Sequence, residues 1–250
     1  MAIQTEEEFH QAIHNSVGIP SRTYTRRRIR NSRRRRKVLR VHSNKWANSI
    51  INLTTKVITV NVYIDFQQNS LSNANYLKLK NLARNGIANY WSRIINIAGE
   101  NYSVNVSANH RPSQSIDVDL EIEEDSEYAR SHNSGLVDAS FIYNKGAFRG
   151  MNSFADNDFK LVSAHEFGHS VLEYFGSSDL SWTHKGSTNK YLQNVKSSTP
   201  GYPSAGEIDL MKYYDRNKGG VSSADRYHRS IADEIDVRRL VWMSKLSFIQ

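Results

Sequence analysis

SAHEFGHSVLEYFG, residues 163–176, sets His165 and His169 four positions apart, with Glu166 directly after the first. On an α-helix those two positions share a face, their side chains about 6 Å apart, so two imidazole nitrogens can reach one tetrahedral zinc ion. Glu166 lies one residue further round and can reach a water on that metal. Leu161, Val162, Val171, Leu172 and Phe175 form an apolar stripe along the same stretch, the mark of a helix half-buried beside a sheet. A half-buried helix carrying His-Glu-x-x-His is better explained by a metal site than by two surface histidines.

The pattern upstream supplies the sheet. KVITVNVYIDF alternates Ile58, Val60, Val62, Ile64 and Phe66 on one face, which predicts a half-buried strand. Leu79, Leu82, Ile87, Tyr90, Trp91, Ile94 and Ile95 then recur at helical spacing behind Ser72, a candidate N-cap. NYSVNVSA, SIDVDLEIEED and GLVDASFIYN predict three more strands. In the second, Asp117, Asp119, Glu121 and Glu123 share one face, expected to shield a sheet edge from aggregation. The histidine helix is predicted to start near Ala155–Phe159, with Asp156 or Asn157 as cap. A long polar region follows Gly176, then GEIDLMKYYD and a last helix around IADEIDVRRLVWMSKL. No internal repeat is visible.

Charge divides the chain unevenly. Residues 20–45 hold 12 Lys and Arg and no acid, whereas residues 46–250 hold 21 basic and 22 acidic residues. The net charge of +8 therefore belongs to an arm, and the body is close to neutral. Residues 1–47 are expected to be a disordered, Arg-rich basic leader, too self-repelling and too poor in apolar residues to fold alone. Such an arm suits non-specific nucleic-acid contact or reading by a delivery machine, the latter through residues 20–45. With no cysteine, neither a disulfide nor a thiolate metal site is possible. No apolar run reaches the ~18 residues of a membrane span. The N-terminus lacks the order of a secretory signal, so production in the cytoplasm and release by a non-Sec route are expected.

HEFGH resembles the active-site motif of zincin metallopeptidases. Asp209-Leu210-Met211-Lys212-Tyr213 is similar to the methionine turn of their metzincin branch, which underlies the zinc. That resemblance implies Met211 as the floor under the metal and Tyr213 as a donor to the oxyanion. The chain departs from the family at the third ligand, where the metzincin positions hold Leu172 and Phe175. Three candidates remain: His184 in LSWTHKGSTN, Asp179 after Gly176, and Glu207, similar to the glutamate of gluzincins. Glu173 is expected to point past the metal. HEFGHSVLEYFG, SWTHKGST and GEIDLMKYY together resemble metallopeptidase modules of bacterial polymorphic toxins and injected effectors, over roughly residues 130–250.

The resulting expectation is an α+β, zincin-like domain over residues 48–250. A twisted mixed sheet packs on the HExxH helix, with a C-terminal helix. Zinc is held by His165, His169 and His184. Glu166 serves as base and then acid in peptide-bond hydrolysis, with Tyr213 assisting. The implied partner is a protein substrate in a target cell. The alternatives are a nucleic-acid-binding protein with a metal site and a zinc hydrolase acting on a non-peptide amide. Structural zinc sites usually close with four ligands including cysteine, which this chain lacks, so an open catalytic position is favoured.

Overall fold

Alternating apolar residues in Val57–Gln67 (β2) do bury one face: Ile58, Val60, Val62, Ile64 and Phe66 are all in the core. The computed structural model describes residues 3–18, 44–133, 139–149 and 151–249. The chain is α+β, and β2 runs through the middle of a curled, mixed sheet.

The elements in chain order are α1 (Glu6–Ser16), β1 (Asn44–Asn52), β2, α2 (Asn73–Trp91), β3 (Arg93–Ile97), β4 (Glu100–His110) and β5 (Ile116–Glu123). There follow β6 (His132–Asn133), β7 (Ala139–Asn144), α3 (Asn152–Trp182), β8 (Ile208–Asp209), α4 (Ser223–Arg229), β9 (Ser230–Ile231), α5 (Glu234–Met243) and β10 (Ser244–Ile249). The main sheet reads β10-β1-β2-β5-β7-β6, with β4 also on β2 and β3 on β4. β1 is antiparallel to β2 and parallel to β10. β4 and then β5 follow one another along the same flank of β2, both parallel to it. The short pair β8–β9 lies apart from this sheet.

Two close approaches set α3 against the rest of the core. At Gly86 of α2, an added Cβ would sit 2.2 Å from the Lys160 carbonyl oxygen, so only glycine lets the two helices cross this tightly. At the end of α2, the buried Trp91 indole donates to the Ala164 carbonyl at 3.0 Å and meets Phe167 edge-on at 5.2 Å. From the sheet, Asn133 of β6 donates its amide to the Glu166 carbonyl at 2.7 Å. The histidine stretch is thus fixed from both sides before any ligand is considered.

Several sequence expectations change here. Residues 1–47 are not wholly a disordered leader. Residues 3–18 carry a capped helix whose Phe9, Ile13 and Val17 are buried in the main core, and β1 already begins at Asn44. Thr5 and Glu8 form a reciprocal capping box at its start. The Arg-rich residues 19–43 lie outside the described residues. Ser72 caps α2 as expected, accepting from the Asn75 amide, but the helix stops at Trp91. Ile94 and Ile95 belong instead to β3, where Ile95 is buried and Ile94 is exposed. β5 is an interior strand between β2 and β7, so its acids line a solvent face and guard no edge. α3 starts at Asn152, before both proposed caps, and the C-terminal helix gives way to a six-residue strand, β10, that pairs with β1. Among the described residues no helix is long and apolar enough to cross a membrane.

Candidate metal centre

The helical run of α3 does not end at Gly176 but folds back on itself. A straight helix would carry Ser181 about 18 Å beyond His169, yet the Ser181 hydroxyl donates to the His169 carbonyl at 3.1 Å. The bend lies at Gly176, where an added Cβ would meet Leu180 Cβ at 2.8 Å. Neighbours four apart on a regular helix stay about 5–6 Å apart. This reversal returns the chain to the histidines and delivers His184 beside them.

His165, His169 and His184 each offer a ring nitrogen within 4.8 Å of the other two. A tetrahedral zinc with bonds of about 2.1 Å sets its nitrogens about 3.4 Å apart, a spacing that this outer limit contains. Each ring is held by its other nitrogen. His165 Nδ1 donates to the Leu210 carbonyl at 2.7 Å. His169 Nδ1 lies 3.0 Å from Ser181 Oγ and His184 Nδ1 lies 2.9 Å from Thr188 Oγ1. Both hydroxyls already donate to backbone carbonyls, of His169 and Trp182, so each accepts from the ring beside it. All three imidazoles are therefore protonated at Nδ1 and bare at Nε2. Nε2 of His165 and of His184 is buried with no hydrogen-bond partner. Orphaned nitrogens on rings oriented through their far side are what metal ligation requires.

Electrostatics agree with that chemistry. Burial pulls His165 down to about 4 and His184 down to about 2, and it holds His169 well below the usual imidazole range. All three stay neutral, the form that binds metal. Glu166 is 6% exposed, with Oε2 3.9 Å from His169 Nε2. Burial pushes its carboxyl up to about 8, against the opposing pull of the Arg130 guanidinium.

His184 occupies this place at a conformational cost. His184, Lys185 and Gly186 follow one another with φ of 46°, 57° and 88°, a left-handed turn disfavoured for its two non-glycine residues. Lys185 anchors it: Nζ reaches Asp209 at 2.6 Å, Asp236 at 2.8 Å and Asp233 at 3.2 Å. One lysine thus ties the third histidine's loop to β8 and to the start of α5.

Met211 is fully buried beneath the helix. A Cβ at Gly168, between the two helical histidines, would lie 2.1 Å from Met211 Sδ, so the glycine of HEFGH is what admits the thioether. Tyr213 stacks on His184 with ring centroids 3.9 Å apart, and its oxygen accepts from Arg130 Nη2 at 2.8 Å. Beside His165 and Glu166 opens a cavity of about 600 Å³.

The structure thus gathers His165, Glu166, His169, His184, Met211 and Tyr213 in one place. It does not bring in Asp179, which is ion-paired with Lys190 and largely exposed. Nor does it bring in Glu207, which is exposed and paired with Arg93 at 3.1 Å. Glu173 stands outside the cluster as well. Sequence reading missed Ser181, Thr188 and Arg130. The first two are ordinary polar residues until the helix folds back, and Arg130 is 83 residues from the tyrosine it touches. Comparison of the chain with known protein families, characterised proteins and solved structures finds no match.

Proposed function

We propose that this chain is a zinc-dependent metallopeptidase of zincin-like architecture, cleaving protein substrates. One observation carries the reading: three clustered imidazoles, His169 and His184 buried and His165 half-buried, each fixed through Nδ1, beside the carboxyl of Glu166. Three candidate ligands with no fourth among the described residues favour a catalytic over a structural site. The all-imidazole donor set, with no thiolate, suits zinc among the first-row metals.

Zinc bound there supplies Lewis acidity, polarising the scissile carbonyl and making water a nucleophile at neutral pH. The chain's own groups do the rest. Beside a cation held by the three histidines, the raised Glu166 pKa is drawn back down, and the carboxylate then accepts a proton from the attacking water and returns it to the leaving nitrogen. An arginine can only donate, so the Tyr213 oxygen accepts from Arg130 and the phenolic hydrogen stays free. Tyr213 then donates that hydrogen to the developing oxyanion, with the guanidinium charge strengthening the bond. Leu210, Ser181 and Thr188 keep the ligand tautomers in place. We further infer, from the basic stretch and the resemblance to toxin modules, that the peptidase is a delivered bacterial effector acting on a target-cell protein.

Metal content and hydrolysis test the reading together. Wild type is expected to hold about one zinc per chain, and Glu166→Gln is expected to keep it. Casein hydrolysis in that variant should fall by at least about 10²-fold. His184→Ala should lose most of the zinc. Undiminished hydrolysis by Glu166→Gln, or no zinc in wild type after incubation with the metal, overturns the proposal.

A further inference from the structure

The cavity beside His165 and Glu166 has an unbalanced lining. Arg130, Lys212, Arg216 and Arg226 line it together with Glu166, the proposed base, and two further acids, Asp158 and Asp209. Both aspartates are already satisfied. Asp158 is buried and accepts from the Tyr128 hydroxyl at 2.7 Å and the Tyr227 hydroxyl at 3.4 Å. Asp209 accepts from Lys185 on one oxygen and from the Met211 amide on the other. Each carboxylate is thus already engaged on both oxygens.

Arg130 is spent on Tyr213, but the other three basic groups are held far more loosely. Arg226 stands 3.8 Å from Asp158, and Lys212 stands 3.7 Å from Asp209 with its side chain 43% exposed. Arg216 is exposed and has no ion pair or hydrogen bond among the described residues. Positive charge is therefore available in the cavity on Lys212, Arg216 and Arg226, while its two aspartates are engaged. A pocket with this balance attracts carboxylates and repels ammonium groups. The phenols of Tyr128 and Tyr227, spent on Asp158, leave an aromatic wall along which an aliphatic stem can lie.

We propose that this cavity receives an acidic side chain of the substrate, at one of the two positions flanking the scissile bond. The inference rests on the peptidase reading above and adds its substrate class. Arg216 and Lys212 meet the carboxylate near the mouth, and Arg226 meets it deeper.

Internally quenched peptide pools test it on the full-length, zinc-loaded protein, with Glu, Lys, Leu or Tyr fixed in turn at each flanking position. At one position Glu should exceed Lys at least about tenfold in kcat/KM. That preference should shrink with added salt, as partly exposed charges are screened. Arg216→Glu should reverse the Glu/Lys order while the zinc content stays as in wild type. Cleavage with no preference for Glu at either position, or with Lys, Leu or Tyr preferred at both, overturns the inference and leaves the peptidase reading standing. Zinc-loaded protein that cleaves none of the pools overturns both.

Discussion

Gly168 shows how little room a single residue has at this centre. Its hydrogen faces Met211 Sδ, and a methyl group there would sit at 2.1 Å with the Trp91 ring at 2.9 Å. Gly168→Ala should cost about 1–3 kcal/mol through overpacking, read as a lower urea midpoint. If the thioether is the obstacle, Met211→Ala in the same chain should recover part of that loss, a coupling that a double-mutant cycle isolates. Additive losses would place the obstacle at Trp91 instead. Tyr213 and Arg130 make a second residue-scale case. Should Arg130 act by orienting the phenol, Arg130→Ala should lower kcat far less in a Tyr213→Phe background than in wild type, with zinc content equal in all four proteins.

At the scale of elements, the joint between α3, the His184 loop, β8 and α5 depends on Lys185. Asp236 is fully buried, and among the described residues its other cationic partner is Arg239 at 2.7 Å. Lys185→Met should therefore cost about 3–5 kcal/mol by leaving buried carboxylates without their central cation. It should also weaken zinc binding, since His184 precedes the lysine. The surrounding acids raise the lysine's pKa above its ordinary 10.5. Its stabilisation is thus complete below that value and is lost only as pH rises past it. Wild type should show no loss from this source between pH 5 and 9 on the scale of that titration. The deficit of Lys185→Met should narrow as pH falls, first as Asp236, whose burial raises its carboxyl above the ordinary range, takes up a proton, and last as Asp233, which is held below that range, does so. A deficit independent of pH would mean that the methionine is disrupting packing alone.

For the whole molecule, the N-terminal helix decides where the folded unit begins. Phe9 is buried edge-on against Tyr102 and Phe248, at 5.5 and 5.8 Å. The Trp242 indole donates to His14 at 3.2 Å, Arg238 donates to the Ser16 carbonyl at 3.2 Å, and Glu100 accepts from the Ile3 amide. α1 therefore docks on β4, α5 and β10 together. Phe9→Ala should cost about 3–5 kcal/mol, and a chain begun at residue 44 should unfold at a markedly lower temperature. A truncated chain with an unchanged melting temperature would show that α1 adds nothing to the core. The consequence is practical: metal and activity assays belong on the full chain.

Much was legible in the sequence because it depends on local period. The alternation from Ile58 to Phe66, the Ser72 cap and the spacing of His165, Glu166 and His169 follow from two-residue and 3.6-residue geometry. The sequence could also nominate His184, Met211 and Tyr213, but it could not choose His184 over Asp179 and Glu207. That choice belongs to the fold-back at Gly176 and to Lys185, which gathers acids from segments 24 to 51 residues away. Residues 3–18 resemble leader in sequence because three glutamates and the neighbouring arginines mask a short apolar face whose partners lie on the distant β4, α5 and β10. Ile94 and Ile95 kept helical spacing past Trp91, yet pairing with β4 outweighed it. Local periodicity and motif spacing are properties of the chain alone. Which third histidine joins the cluster, and which phenol and guanidinium stand beside it, depend on contacts between residues far apart in sequence, and only the folded structure creates those.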